Sequence, residues 1–315
     1  MGHWLRRGRA ALRPTRRTPP LVSAELAAAV ARVWPGGVDA WEILGGGITN
    51  HNLKVTLGTE TLVLRVAGRD TGLLGIDRGD EKIATETAHA AGVGPEVVRF
   101  VEPEGWLVTR FIPGPTPPPT QLRRPAGLRA VAAALRAIHT GPAIPGRFET
   151  IEVVESYRDT ALARGAVLPE AFARSHERAR AIAARRAAAP RVACHNDLLN
   201  ANFILEGESL HIVDWEYAGM GDPCFDLANF SINHELSRSD RLDLLRAYRE
   251  AEPSDEDVAA LELMRFMSDF REAMWGVVQR VVSTLDFDFA AYADEHFERM
   301  ERTAAEPGFQ AALGR

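Results

Sequence analysis

Three short apolar-rich stretches, Trp41 to Leu44, Leu53 to Leu57 and Thr61 to Val66, bounded by turn residues, read as strands. Gly45, Gly46 and Gly47 separate the first two, and Gly58 turns the second into the third. Before them a helical period covers Ala24 to Val33, with Ser23 in the N-cap position and Glu25 in the first turn. A second helix is expected from about Asp80 to Ala91, closed by Gly92 and Gly94. Val97 to Val101 and Trp106 to Phe111 then read as a hairpin around Pro103 and Gly105. The pattern predicts a small five-stranded antiparallel sheet carrying one helix over residues 23–112.

Pro113, Pro115, Pro117, Pro118 and Pro119 follow within seven positions, a density that excludes helix or central strand. Residues 113–120 are therefore expected to be a stiff hinge between two domains. Beyond it, over 121–315, helical character dominates. Pro125 to Ile138 and Glu170 to Ala189 are alanine-rich and periodic, and Asp255 to Leu285 and Phe289 to Ala304 read as long helices. Only Arg191 to Cys194, Phe203 to Leu205 and Leu210 to Val213 look like strands. A sheet lobe joined to a helical lobe is an α+β architecture, and ligands commonly bind in such clefts.

Composition narrows the class. The 315 residues are 46% hydrophobic and 25% charged, a globular balance, and no apolar run approaches the length of a membrane span. Two cysteines, Cys194 and Cys224, make neither a disulfide framework nor a zinc site, so a reducing, cytoplasmic setting is expected. Net charge is −6, but Arg6, Arg7, Arg9, Arg13, Arg16 and Arg17 crowd the start without a single acid. The rest holds 31 basic against 43 acidic residues, and so acidic a body argues against nucleic acid as a partner. Residues 1–22 read as a flexible basic extension.

The densest chemistry lies in Cys194-His195-Asn196-Asp197-Leu198-Leu199-Asn200-Ala201-Asn202-Phe203. Asp197 and Asn202 sit five apart between two short strands, and the next strand delivers Asp214 in Ile212-Val213-Asp214-Trp215-Glu216. Asn202 and Asp214 offer two hard oxygen donors, suited to a magnesium ion whose octahedron phosphate oxygens and water complete. Asp197 is then left to orient or deprotonate an attacking hydroxyl, the division of labour of phosphoryl transfer. His195 reads as a brace for the loop through its ring nitrogens. Asp222 is a natural N-cap with Pro223 at the first helical position, and Asp226 is expected to hydrogen-bond back to the loop.

The sheet lobe is expected to hold the nucleotide. Gly45-Gly46-Gly47-Ile48-Thr49-Asn50 lies between strands, unlike the strand-to-helix phosphate loops of dinucleotide-binding folds, and Thr49 and Asn50 can reach phosphates. Arg65 is a charge inside an apolar strand and needs a partner, for which Glu81 is the candidate.

These motifs resemble the choline/ethanolamine kinase family, within the aminoglycoside-phosphotransferase-like group. The matching pieces are Gly46-Gly47-Ile48-Thr49-Asn50, Leu64-Arg65-Val66, Asp77-Arg78 followed by Glu81, and Gly92-Val93-Gly94-Pro95. His195-Asn196-Asp197, Asn202, Asp214-Trp215-Glu216-Tyr217-Ala218-Gly219, Phe225-Asp226-Leu227-Ala228-Asn229 and Trp275-Gly276 with Gln279 complete them. The resemblance implies a protein-kinase-like two-lobe fold with ATP and Mg2+ as cofactors. It implies Asp197 as base, Asn202 and Asp214 as magnesium ligands, Arg65 with Glu81 and the Thr49/Asn50 loop on ATP, and His195, Asn200 and Asp226 as catalytic-loop support.

The implied acceptor is a small cationic alcohol, choline or ethanolamine first. Glu216, Tyr217, Asp269, Glu272 and Trp275 are its candidate pocket, since a cation favours carboxylates and aromatic faces. Thiamine and aminoglycosides stand as alternative acceptors, and a non-catalytic ATP-binding or scaffold protein as a different class. The sequence leaves open whether the chain forms a homodimer.

Overall fold

The computed structural model describes residues 20–45, 50–68, 71–283, 285 and 287–314. The chain divides into two compact units, one formed by the chain through Thr71 with Glu96–Phe111, the other by Gly72–Pro95 with Ile112 onward. The basic extension through residue 19, and the turn residues Gly46, Gly47, Ile48 and Thr49, lie outside the described residues.

The first unit holds helix α1 (Pro20–Val33) and strands β1 (Ala40–Leu44), β2 (Asn50–Leu57), β3 (Glu60–Ala67), β4 (Val97–Val101) and β5 (Trp106–Arg110). They form the expected five-stranded antiparallel sheet, in the order β1-β2-β3-β5-β4. Leu53 and Val55 of β2 stand opposite Leu64 and Leu62 of β3, and Leu64 stands opposite Val108 of β5. Spaced two apart, these side chains share one face of the sheet. Leu26, Ala29, Val30 and Val33 join them in one buried cluster, a helical stripe of α1. Gly58, at φ +61°, occupies the first central position of the β2–β3 turn, a conformation that a residue with a Cβ resists. The helix already includes Pro20, so Ser23 lies inside it and not at the N-cap position.

The second unit begins with α2 (Arg78–Ala90), capped by the Asp77 carboxylate, which accepts from the Gly79 and Asp80 N–H groups. After the proline run come α3 (Pro119–Leu122), α4 (Pro125–His139), α5 (Thr150–Ala163) and α6 (Phe172–Arg185). The strands β6 (Val192–Cys194), β7 (Phe203–Glu206), β8 (Ser209–Ile212) and β9 (Gly219–Gly221) precede α7 (Pro223–Asn233), α8 (Arg238–Arg249), α9 (Asp255–Val282), α10 (Phe289–Ala305) and α11 (Pro307–Gly314). The strands make two antiparallel pairs, β6 with β9 and β7 with β8.

Helix α9 is the spine of this unit. It is buried without a break from Ala259 to Gln279, with α5, α6, α7, α10 and α11 packed around it. Phe266 and Phe270 are fully buried in that packing, against Phe172, Phe297 and Phe309. Two features depart from the sequence reading. The proline run admits helix after all, since Pro119 occupies the first turn of α3, where its missing N–H has no partner to lose. The strand β9 contains two glycines and was not expected. A Cβ on Gly219 would meet the Gly146 and Arg147 backbone at 3.1 Å, so glycine is what lets these segments approach. Among the described residues, no helix is long and apolar enough to cross a membrane.

Candidate active site

The loop after β6 is held from several directions. Asn196 takes a left-handed backbone conformation, φ 66°, which asparagine tolerates better than most residues. Asp226, in the first turn of α7, accepts the backbone N–H groups of His195 at 2.8 Å and Asn196 at 2.7 Å, and its carboxylate also meets His139 Nε2 at 3.1 Å. Asn229, one turn on, accepts from the Leu198 N–H at 2.6 Å. Burial pushes the Asp226 carboxyl up, but the hydrogen bond and charge of His139 and the His195 N–H outweigh it and hold the group below the ordinary carboxylate range.

His195 braces the loop as expected. Its Nδ1 accepts from the Asp197 N–H at 3.1 Å, which leaves Nε2 to donate to the Val213 carbonyl at 3.0 Å. Burial lowers its pKa, so the ring is neutral and the tautomer follows from the two bonds. Asp222 caps α7 as expected, accepting from the Cys224 N–H, and also pairs with Arg186. His139, Cys194 and Asp226 lie within 4.8 Å of one another and could in principle share a metal ion. Both His139 nitrogens, however, already face Tyr248 and Asp226, and burial drives the Cys194 thiol well above its ordinary pKa. The three are better read as the frame of the loop.

Asn202 Nδ2 donates to the Asp197 carbonyl at 2.8 Å, so the amide oxygen of Asn202 turns to the opposite side. The Val213 N–H donates to the Asn202 carbonyl at 2.9 Å, which sets Asp214 next to Asn202 along the hairpin, with Asp214 itself left-handed at φ 70°. Asn200 donates to the Pro117 carbonyl at 3.2 Å and so ties the loop to the proline run. Trp215 fixes the base of the second strand: its indole N–H donates to the Ile212 carbonyl, and its ring meets His195 edge-on at 4.6 Å.

Around Asp197 lies a group of charged and aromatic side chains. Arg271 of α9, fully buried, points both terminal nitrogens at Asp197 Oδ1, each at 3.4 Å, and donates to the Asn196 carbonyl at 3.1 Å. It donates to Glu272 at 2.5 Å and covers the Tyr217 ring at 4.6 Å. Glu272 also accepts from the Tyr292 hydroxyl at 2.7 Å, and the Trp275 indole N–H donates to the Tyr217 hydroxyl at 3.2 Å. Glu216 is buried and meets Arg78 at 3.2 Å, while the same guanidinium holds Glu81 at 2.6 Å. Burial pushes the Asp197 carboxyl up to about 7. Arg271 opposes the shift, and the carboxylates of Glu272, Asp214 and Glu216 add to it.

The expected acceptor residues therefore divide. Glu216, Tyr217, Glu272 and Trp275 belong to this group, whereas Asp269 does not. Its carboxylate is fully buried and is held by Arg299 at 2.6 Å and His296 at 3.0 Å. Thr49 lies outside the described residues. Asn50 and Arg65 are buried on β2 and β3 of the first unit. The residue the sequence reading missed is Arg271. Its signal was a basic residue in the middle of the long helix α9, next to the candidate acids Asp269 and Glu272 and between the apolar Phe270 and Met274, where a buried charge needs a partner.

A mostly helical unit that carries a braced acidic loop, and a second unit built on an antiparallel sheet, fit the class of phosphotransferases. The chain belongs to the phosphotransferase enzyme family, which it matches over residues 40–261, and within it to the choline/ethanolamine kinases. It is similar to a choline/ethanolamine kinase family protein from Mesorhizobium loti, 31% identical with a TM-score of 0.80, over 93% of this chain and 98% of that one. Ethanolamine kinase 2 of Rattus norvegicus is 27% identical over 289 residues, 80% of this chain and 73% of the relative. Choline kinase LicA from Streptococcus pneumoniae, 22% identical over 90% of this chain and 99% of that one, shares the fold with a TM-score of 0.76. The protein is thus a small-molecule kinase of protein-kinase-like fold that phosphorylates a small alcohol.

Proposed function

We propose that the protein transfers the γ-phosphoryl group of ATP to the hydroxyl of a small amino alcohol, ethanolamine or choline, with Asp197 as the base. The observation that carries this reading is the placement of Asp197, held on a rigid loop among Arg271, Glu272, Tyr217 and, by charge, Glu216. The acceptor oxygen would attack the γ-phosphorus and give its proton to Asp197 as the bond to the β-phosphate oxygen breaks, releasing ADP. A carboxyl lifted toward neutrality by burial is suited to accept that proton.

Asn202 and Asp214 fit a magnesium ion. Both are hard oxygen donors, and the bond that ties the Asn202 amide N–H to Asp197 turns its oxygen outward. Mg2+ bound there would neutralise charge on the phosphates. Asn50, buried at the start of β2, and Arg65, buried in the apolar stretch of β3, are the polar groups we assign to the nucleotide, with Thr49 next to Asn50 in sequence. Arg78 joins Glu81 to Glu216 and so links α2 to the segment carrying Asp214. His195, Asn200 and Asp226 position the loop.

ADP formation in magnesium buffer, measured with ethanolamine, choline, thiamine, kanamycin and no acceptor, tests the reading. Turnover that needs ethanolamine or choline and disappears in Asp197→Asn supports it. Turnover only with kanamycin or thiamine would keep the chemistry and replace the acceptor. ATP binding without acceptor-dependent turnover would favour a non-catalytic role.

A further inference from the structure

We infer that Arg271 determines acceptor specificity, by acting as an internal cation that selects an alcohol bearing an N–H ammonium over one bearing a quaternary nitrogen. The inference rests on the kinase reading above and narrows its acceptor.

The argument starts from what each kind of nitrogen needs. A quaternary ammonium has no hydrogen to donate and is held by the faces of aromatic rings. A primary, secondary or tertiary ammonium has N–H donors and is held by carboxylates. Around Asp197 the ring surfaces are already engaged. The Arg271 guanidinium lies over Tyr217 at 4.6 Å from the ring centre. The Tyr217 hydroxyl takes the Trp275 N–H, and the Trp275 ring meets Tyr292 and Phe289 edge-on at 5.5 and 5.7 Å. Tyr292 is tied by its hydroxyl to Glu272. An aromatic box for three methyl groups would require Arg271 to leave the ring.

Arg271 is not placed to leave easily. It is fully buried, pairs with Glu272 and Asp197, and donates to the Asn196 carbonyl. The charge left over is negative: the carboxylates of Glu81, Asp197, Glu216 and Glu272 face the guanidiniums of Arg271 and Arg78. That surplus suits one compact ammonium able to donate hydrogen bonds.

The test is the series ethanolamine, N-methylethanolamine, N,N-dimethylethanolamine and choline, with kcat/KM read from ADP release. On the unaltered protein the first three should be accepted, and the last methyl, which removes the last N–H, should lower kcat/KM by more than about tenfold. Arg271→Met should narrow that gap by uncovering Tyr217, and Arg271→Lys, which keeps the charge without the planar cover, should narrow it in part. If Arg271→Met fails to fold, as judged by its circular dichroism melt, the lysine variant carries this arm. Choline used as well as ethanolamine by the unaltered protein would overturn the inference and leave the kinase reading intact. A gap that both folded variants leave unchanged would remove Arg271 from the explanation. Turnover with none of the four amino alcohols would overturn the kinase reading itself, and this inference with it.

Discussion

Asp226 gathers the backbone N–H groups of His195 and Asn196 on one carboxylate, from a helix that starts about thirty residues further along the chain. The loop before Asp197 thus owes its shape to a side chain that need take no part in the chemistry. Asp226→Ala would leave two buried donors without an acceptor, at about 1–3 kcal/mol for each. Thermal denaturation should register the loss as a lowered Tm, accompanied by a fall in kcat. An unchanged Tm would mean that the bonds are dispensable.

The same carboxylate carries a pH dependence whose sign is fixed. Its folded-state pKa lies below the ordinary value of 3.8, so its stabilisation is present above that value and is lost as pH falls through it toward the lower folded pKa. Urea unfolding of the unaltered protein and of Asp226→Asn should therefore differ most near neutrality and converge below about pH 4. A difference that stays constant with pH would show that charge is not involved.

Asp197→Asn should lower kcat by about 10²–10⁴-fold, the range for loss of a general base. The amide keeps the shape of the side chain, and Arg271 keeps its bond to Glu272, so the melting curve should stay near that of the unaltered protein. Full activity in this variant would remove Asp197 from the role of base.

Leu64 tests the sheet. It is fully buried, with Leu53 opposite it on one neighbouring strand and Val108 on the other. Leu64→Ala should cost about 2–5 kcal/mol in chemical denaturation, because three strands and α1 cannot all close on the cavity.

The five strands were legible because short apolar-rich runs are bounded by turn residues such as Gly58 and Gly105, and Asp226 was legible because Asp222-Pro223 announces a helix start. The acceptor side was only half legible. Asp269 and Glu272, three apart on α9, both meet α10, but Asp269 finds His296 and Arg299 there while Glu272 finds Tyr292. Spacing along one helix places both carboxylates on a face. It carries no information on which residues of a second helix arrive opposite each one. Arg271 was hidden for a related reason: an arginine on a helix reads as solvent-facing until the partners that bury it are known.

Gly114 is the sharpest test of how the proline run is held. The Leu205 N–H donates to the Pro115 carbonyl at 3.0 Å, and a Cβ on Gly114 would come within 2.2 Å of the Leu205 carbonyl oxygen. That obstacle is backbone of β7, the strand that follows the loop carrying Asp197 and Asn202, so it has no rotamer by which to give way. Gly114→Ala must either push the proline run off β7 or bend the strand itself. Overpacking of this kind costs about 1–3 kcal/mol. The strand leads directly from Asn202, so kcat should fall along with Tm, while Gly36→Ala, where a Cβ meets nothing within 4 Å, should leave both unchanged. Equal stability of the two variants, measured side by side, would show that the contact between the proline run and β7 is not tight in solution.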